Sequence, residues 1–147
     1  MTQSMIDQNY RILLEGTALK LKYVAKDYIH FIVGQHIPTG NFVLAIADND
    51  NSGLYSKEWI ELSAIYQLLS TLNHSHFRSQ VFDALFQNRS RNNRGFLTAI
   101  LKSESLNVIE PVSGQPFEYK VVEKYTEKFA QLEITLKKLS EGEAFSP

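Results

Sequence analysis

The stretch LTAILKSESLNVIEPVSGQPFEYKVVEKYTE, residues 97–127, decides the order of elements in the second half of this chain. It begins in an apolar run with helical spacing and continues into two short segments rich in β-branched and aromatic residues, LNVIEPV and FEYKVV. The turn-forming residues SGQP separate these segments and predict a hairpin. Residues 123–139 contain no Gly or Pro and predict a terminal helix. The stretch therefore predicts a helix, a β-hairpin and a second helix, in that order.

Two more helices are predicted upstream of this stretch. Ser56 is a suitable N-cap for a helical stripe over residues 59–72, and residues 77–85 predict a shorter helix. Three helices, a hairpin and a long helix follow one another in winged-helix domains. Residues 97–127 resemble the recognition helix, wing and terminal helix of dimeric bacterial winged-helix regulators, with matching apolar positions at Leu101, Leu106, Val108, Ile109 and Tyr119. The resemblance implies a DNA-binding dimer and identifies no particular family.

The first 50 residues fit either helix or strands. Apolar residues from Ile6 to Ile32 recur at helical spacing, whereas ALKLKYV alternates and YIHFIVG and NFVLAIA are rich in strand-forming residues. Gly16 and Thr17 would interrupt a helix at its middle, which favours an antiparallel meander over residues 11–47. The predicted fold class is α+β. A β-rich portion (1–50) precedes a winged-helix-like portion of three helices and a hairpin (51–122) and a long C-terminal helix with its tail (123–147), or all three form one compact domain.

Composition limits the class of protein. The chain has 147 residues, of which 44% are apolar and 12% aromatic, enough for a packed core. The absence of cysteine excludes disulfides, thiolate zinc sites and cysteine nucleophiles. The start of the chain lacks the basic and apolar regions of a signal peptide, and no apolar run approaches the length of a membrane span. We therefore predict a cytoplasmic protein with no membrane partner.

Positive charge is concentrated around QNRSRNNRGF, residues 87–96. Residues 77–102 carry five basic side chains against Asp83 alone, a net charge of +4, while the whole chain carries −1. The start of a recognition helix enters the major groove, where arginine reads guanine and asparagine reads adenine, while helix-start amides and hydroxyls bind phosphate. The predicted nucleic-acid-binding residues are Arg78, Arg89, Ser90, Arg91, Asn92, Asn93, Arg94 and Lys102, with Arg78 and Lys102 as phosphate contacts. The cluster equally fits a solvated, helix-capping loop, or a patch that meets RNA or an acidic protein.

The C-terminal helix carries an apolar stripe at alternating spacings of three and four, as in a coiled-coil seam. The stripe predicts either a homodimer or partner interface, or a helix that packs on its own domain. Its members are Val122, Tyr125, Phe129, Leu132, Leu136 and Leu139.

Sites for metals and catalysis have little support. Residues 48–53, DNDNSG, begin like a calcium loop, but Trp59 stands where the bidentate glutamate is required. His74 and His76 have no third ligand at a suitable spacing, and no catalytic motif is present. We predict no metal, no cofactor and no enzymatic activity.

The sequence thus predicts a DNA-binding protein that acts as a small dimeric regulator or replication-associated factor. The alternative is a protein-binding adaptor, inhibitor or assembly subunit that uses the C-terminal helix and the basic patch.

Overall fold

The first half of the chain forms a four-stranded antiparallel sheet in a computed structural model, which describes residues 8–21, 27–49, 57–87 and 91–142. The strands are adjacent in chain order. The predicted meander is therefore confirmed. The strands are β1 (Tyr10–Leu19), β2 (Tyr28–His36), β3 (Phe42–Asn49) and β4 (Ile60–Glu61).

The first strand lies earlier in the chain than the alternation in ALKLKYV predicts. Gly16 and Thr17, expected to interrupt a helix, lie inside β1 opposite Phe31 and His30 of β2. A Cβ on Gly16 would lie 2.5 Å from Cζ of Phe31, so the aromatic ring occupies the space that the missing side chain leaves. Glycine is needed here for close packing within a strand.

Both faces of the sheet are covered at its centre. Ile29, Phe31 and Val33 alternate along β2 and are buried in the main core, whereas Ile32 on the opposite face is also buried. On that opposite face the Trp59 ring lies over Gly34, 3.4 Å from the position of an added Cβ. The same ring stacks on Tyr10 with a centroid distance of 4.7 Å.

The second half contains the predicted order of elements. Helix α1 starts at Leu62 with Glu61 as N-cap, later than the stripe from residue 59 predicts, and Ser56 lies outside the described residues. The short predicted helix is a 3-10 helix. The elements are α1 (Leu62–Leu72), the 3-10 helix (Ser79–Leu85), α2 (Arg91–Lys102), β5 (Ile109–Pro111), β6 (Tyr119–Val121) and α3 (Tyr125–Ser140).

Helix α2 is the central helix of the fold. It packs against the 3-10 helix, β1, β2 and β5, and every residue from 96 to 101 is buried. The hydroxyl of Thr98 is satisfied inside the helix, where it donates to the carbonyl oxygen of Arg94 at 2.8 Å. A recognition helix presents the side chains of its N-terminal end to the base edges of the groove. In α2 only the two ends reach the surface.

One core joins the two halves of the chain. Buried residues of the sheet, α1, α2, the hairpin and α3 form a single hydrophobic cluster. Tyr66 of α1 lies between two aromatic rings of α3, stacked on Tyr125 and edge-on to Phe129, at centroid distances of 5.6 and 5.3 Å. The α+β class is confirmed. Within the described ranges, no helix is both long and apolar enough to cross a membrane.

Candidate functional site

The basic cluster coincides with the beginning of α2. Arg91 is the first residue of that helix, so the helix starts inside the cluster. Arg89 and Ser90 precede it and lie outside the described residues, as does the side chain of Arg91. The part of the cluster that the structure describes therefore consists of Asn92, Asn93 and Arg94.

Asn93 does not face solvent. Its side chain is buried, with 1% of the residue exposed, and Asn92 is half-buried. A buried amide cannot reach a base edge in a groove without leaving the interior. The position of Asn93 therefore does not support the predicted base contact, because the first turn of α2 already packs against the rest of the molecule.

Arg94 forms a two-pronged ion pair within the chain. Its Nε donates to Oδ1 of Asp83 at 3.0 Å, and its terminal nitrogen lies 2.8 Å from Oδ2 of the same carboxylate. Both side chains are about one third exposed, at 33% and 34%. This pair links α2 to the 3-10 helix and neutralises one of the arginines predicted to contact DNA.

The remaining predicted cations lie toward the hairpin. Lys102 is eight residues after Arg94, which corresponds to about 12 Å along the helix axis. It lines a groove beneath the hairpin together with Pro111. Arg78 is exposed and follows Phe77, whose backbone exchanges hydrogen bonds of 2.9 and 2.8 Å with Tyr119 of β6. Arg94 and Lys102 therefore lie near opposite ends of α2.

The apolar stripe of α3 packs on its own chain. Val122, Tyr125 and Leu136 are buried in the core, and Phe129 and Leu132 pack against it. Leu139 is half-buried. The buried members of the stripe therefore lie in the core of their own chain, which is the arrangement that the intramolecular alternative predicts.

The hairpin presents an apolar surface that the sequence analysis did not identify. Phe117 was assigned to a strand but lies in the turn, 68% exposed, with a φ of +68°. An open groove of about 420 Å³ lies along the hairpin. We define the hairpin surface as Leu21, Lys102, Pro111, Val112, Pro116 and Phe117, all of which line this groove.

The only sequence signal for this surface is the order of residues in QPF. A large apolar residue directly follows a polar turn there, where a solvent-facing side chain is expected. Periodicity alone cannot distinguish this residue from the first residue of a strand.

The histidines and the acidic loop form no recognisable metal site in the described part of the chain. His74 is exposed with a φ of +71°, and Nδ1 of His76 lies 3.7 Å from Oε1 of Glu118. Within the described ranges, no three metal-ligating side chains converge. Most of DNDNSG lies outside the described residues.

Comparisons of the chain with protein-family models, with curated proteins and with solved structures give no significant match.

Proposed function

We propose that this protein is a non-enzymatic binding module of the cytoplasm whose partner is another protein, which it contacts through the hairpin surface. The observation that carries the proposal is the exposure of Phe117 at the hairpin tip. Burying a phenylalanine side chain gains about 1.5–3 kcal/mol, and aromatic residues are enriched among those that dominate protein interfaces. The class is that of an adaptor, inhibitor or assembly subunit.

The backbone at Phe117 supports this proposal. A φ of +68° is unfavourable for a residue with a side chain and costs about 1–2 kcal/mol. Such strain is found where a fixed side-chain direction serves binding. At this position it holds an aromatic ring outward, although the ring gains little from packing inside the chain. A partner that covers the Phe117 ring would gain the free energy of removing the ring from water.

Duplex DNA is the second candidate partner, favoured by the start of α2 within the basic cluster. Backbone amides at a helix start, together with arginines, suit phosphate groups. In this proposal the chain acts as a homodimeric regulator or replication-associated factor. It ranks second because Arg94 is paired with Asp83, Asn93 is buried and Lys102 lies at the far end of α2.

Photo-crosslinking in the native cell tests the first proposal. The photoreactive residue p-benzoylphenylalanine would replace Phe117 in one variant and Ile134 in a matched control. Ile134 is 50% exposed on α3 and does not line the groove. We expect a discrete protein adduct from position 117 that is absent from position 134. No adduct from position 117, or the same adducts from both positions, would count against a hairpin interface.

Fluorescence anisotropy with random-sequence duplex DNA tests the second proposal. Wild type and an Arg89→Ala/Arg91→Ala/Arg94→Ala variant would be compared at about 50 and about 200 mM salt. Salt-sensitive binding that is lost in the variant would favour DNA. Equal binding by both proteins, or none by wild type, would dismiss the cluster as a DNA surface.

A further inference from the structure

The hairpin surface carries the ammonium group of Lys102, which pairs with no carboxylate of the described residues. Lys102 lies in the last turn of α2 and is half-buried. Among the residues that the structure describes, none places a carboxylate oxygen within 4.0 Å of its Nζ atom. A half-buried lysine loses part of its hydration, so a carboxylate brought to this position by a partner would be attracted to it.

The hairpin carries three other charged residues. Glu118 also lines the groove, and its Oε1 atom lies 3.7 Å from Nδ1 of His76, which bears a charge only when the imidazole is protonated. Lys120 and Glu110 pair with each other across the two strands at 3.8 Å. Lys102 is therefore the cationic group of the groove, and among the described residues no carboxylate pairs with it.

The rest of the groove is suited to an apolar side chain. Pro111, Val112 and Pro116 offer short apolar groups, and Phe117 forms a large aromatic flank. A volume of about 420 Å³ is in the range of ligand sites, but the groove is open rather than enclosed. An open groove of this size fits one or two side chains of a peptide segment that crosses it.

We propose that the hairpin surface binds a peptide segment in which an aspartate or glutamate lies next to a large apolar residue. The carboxylate meets Lys102 and the apolar side chain packs against Phe117. Exposed ion pairs contribute little to binding free energy, so the apolar contact supplies most of the affinity and the carboxylate supplies selectivity. This inference rests on the proposed protein-binding function and adds the chemistry of the partner.

Selection from a displayed library of random peptides, with the full-length protein as bait, tests the inference. Parallel selections would use wild type, Lys102→Glu, Phe117→Ala and the control Ile134→Ala, each first checked for an unchanged urea midpoint. We expect wild type and the control to enrich peptides with an acidic residue beside an apolar one. Phe117→Ala should lose the enrichment, and Lys102→Glu should lose the acidic preference. A wild-type-selected peptide should bind Lys102→Glu at least about threefold more weakly.

The outcomes separate the inference from the function on which it rests. If enrichment depends on Phe117 but the peptides are not acidic, or if the acidic preference persists on Lys102→Glu, the inference is overturned and the protein-binding function stands. If no enrichment depends on Phe117, the proposed use of the hairpin surface fails as well.

Discussion

Replacement of Leu136 by alanine tests whether α3 belongs to the core of its own chain. Leu136 is 0% exposed, so the substitution removes carbons that are fully withdrawn from water. Loss of their transfer free energy, at about 0.8 kcal/mol per carbon, gives roughly 2.5 kcal/mol. Incomplete collapse of the resulting cavity raises the expected loss to about 3–4 kcal/mol. For a chain of this size, that loss should lower the melting temperature by roughly 6–16 °C.

Urea unfolding, measured at two protein concentrations about fiftyfold apart, distinguishes a Leu136 buried in the core of its own chain from a Leu136 buried against a second chain. We expect the same destabilisation at both concentrations, because the contacts are made within one chain. The control is Ile134→Ala on the same helix, which is 50% exposed and should change stability by less than about 1 kcal/mol. A loss below about 1 kcal/mol for Leu136→Ala would refute its place in the core, and a loss that grows with protein concentration would show that α3 packs against another chain instead.

Four further substitutions probe the backbone and the hairpin. Gly16→Ala should destabilise the protein by about 1–3 kcal/mol in urea unfolding, because its Cβ would lie 2.5 Å from Cζ of Phe31. Gly95→Ala in α2 should stabilise the protein by about 0.5–1 kcal/mol, because nothing within 4 Å obstructs the added Cβ. Equal effects of the two substitutions would refute the packing at Gly16. Phe117→Gly should leave the free energy of unfolding unchanged or raise it by up to about 1 kcal/mol, because it relieves a φ of +68°. The selected peptides should nevertheless no longer bind this variant in a titration. Retained binding would contradict the hairpin proposal. Burial raises the pKa of the Tyr119 hydroxyl above its ordinary value of 10.0. As the pH rises, the unfolded chain therefore loses this proton at a lower pH than the folded chain does. The stability that depends on this proton is complete below about pH 10 and is lost as the pH rises further. Tyr119→Phe should therefore reduce the loss of stability in urea unfolding between about pH 9 and about pH 11, and an unchanged pH dependence would argue against this assignment.

Several elements were predictable because their signals lie within a few residues of sequence. The turn at residues 113–116 predicted the hairpin, and an uninterrupted helical stretch predicted α3. The β-branched runs around Phe31 and Leu44 predicted the meander. For the hairpin and α3, local propensity and the periodicity of the apolar residues both agree with the final fold. The first 50 residues fitted either helix or strands, and Gly16 and Thr17 favoured the strands because they would interrupt a helix.

The candidate site was less predictable because exposure depends on distant residues. Arg94 and Asn93 look like surface residues in the sequence, but one reaches the carboxylate of Asp83 and the other lies in the interior. Phe117 looks like a strand residue, but a positive φ directs it into solvent. The signals for these placements come from packing across the fold, not from neighbours along the chain.

The sequence by itself determined the α+β class, the order of the elements and the amphipathic character of α3, since these follow from turn chemistry and apolar spacing. Only the tertiary structure decided what those elements face. The apolar stripe through Leu136 would have the same spacing whether it packed against a second chain or against its own core. The basic start of α2 would likewise have the same composition whether Arg94 faced solvent or paired with Asp83. Periodicity specifies that a face must be buried, but the three-dimensional packing specifies which surface buries it.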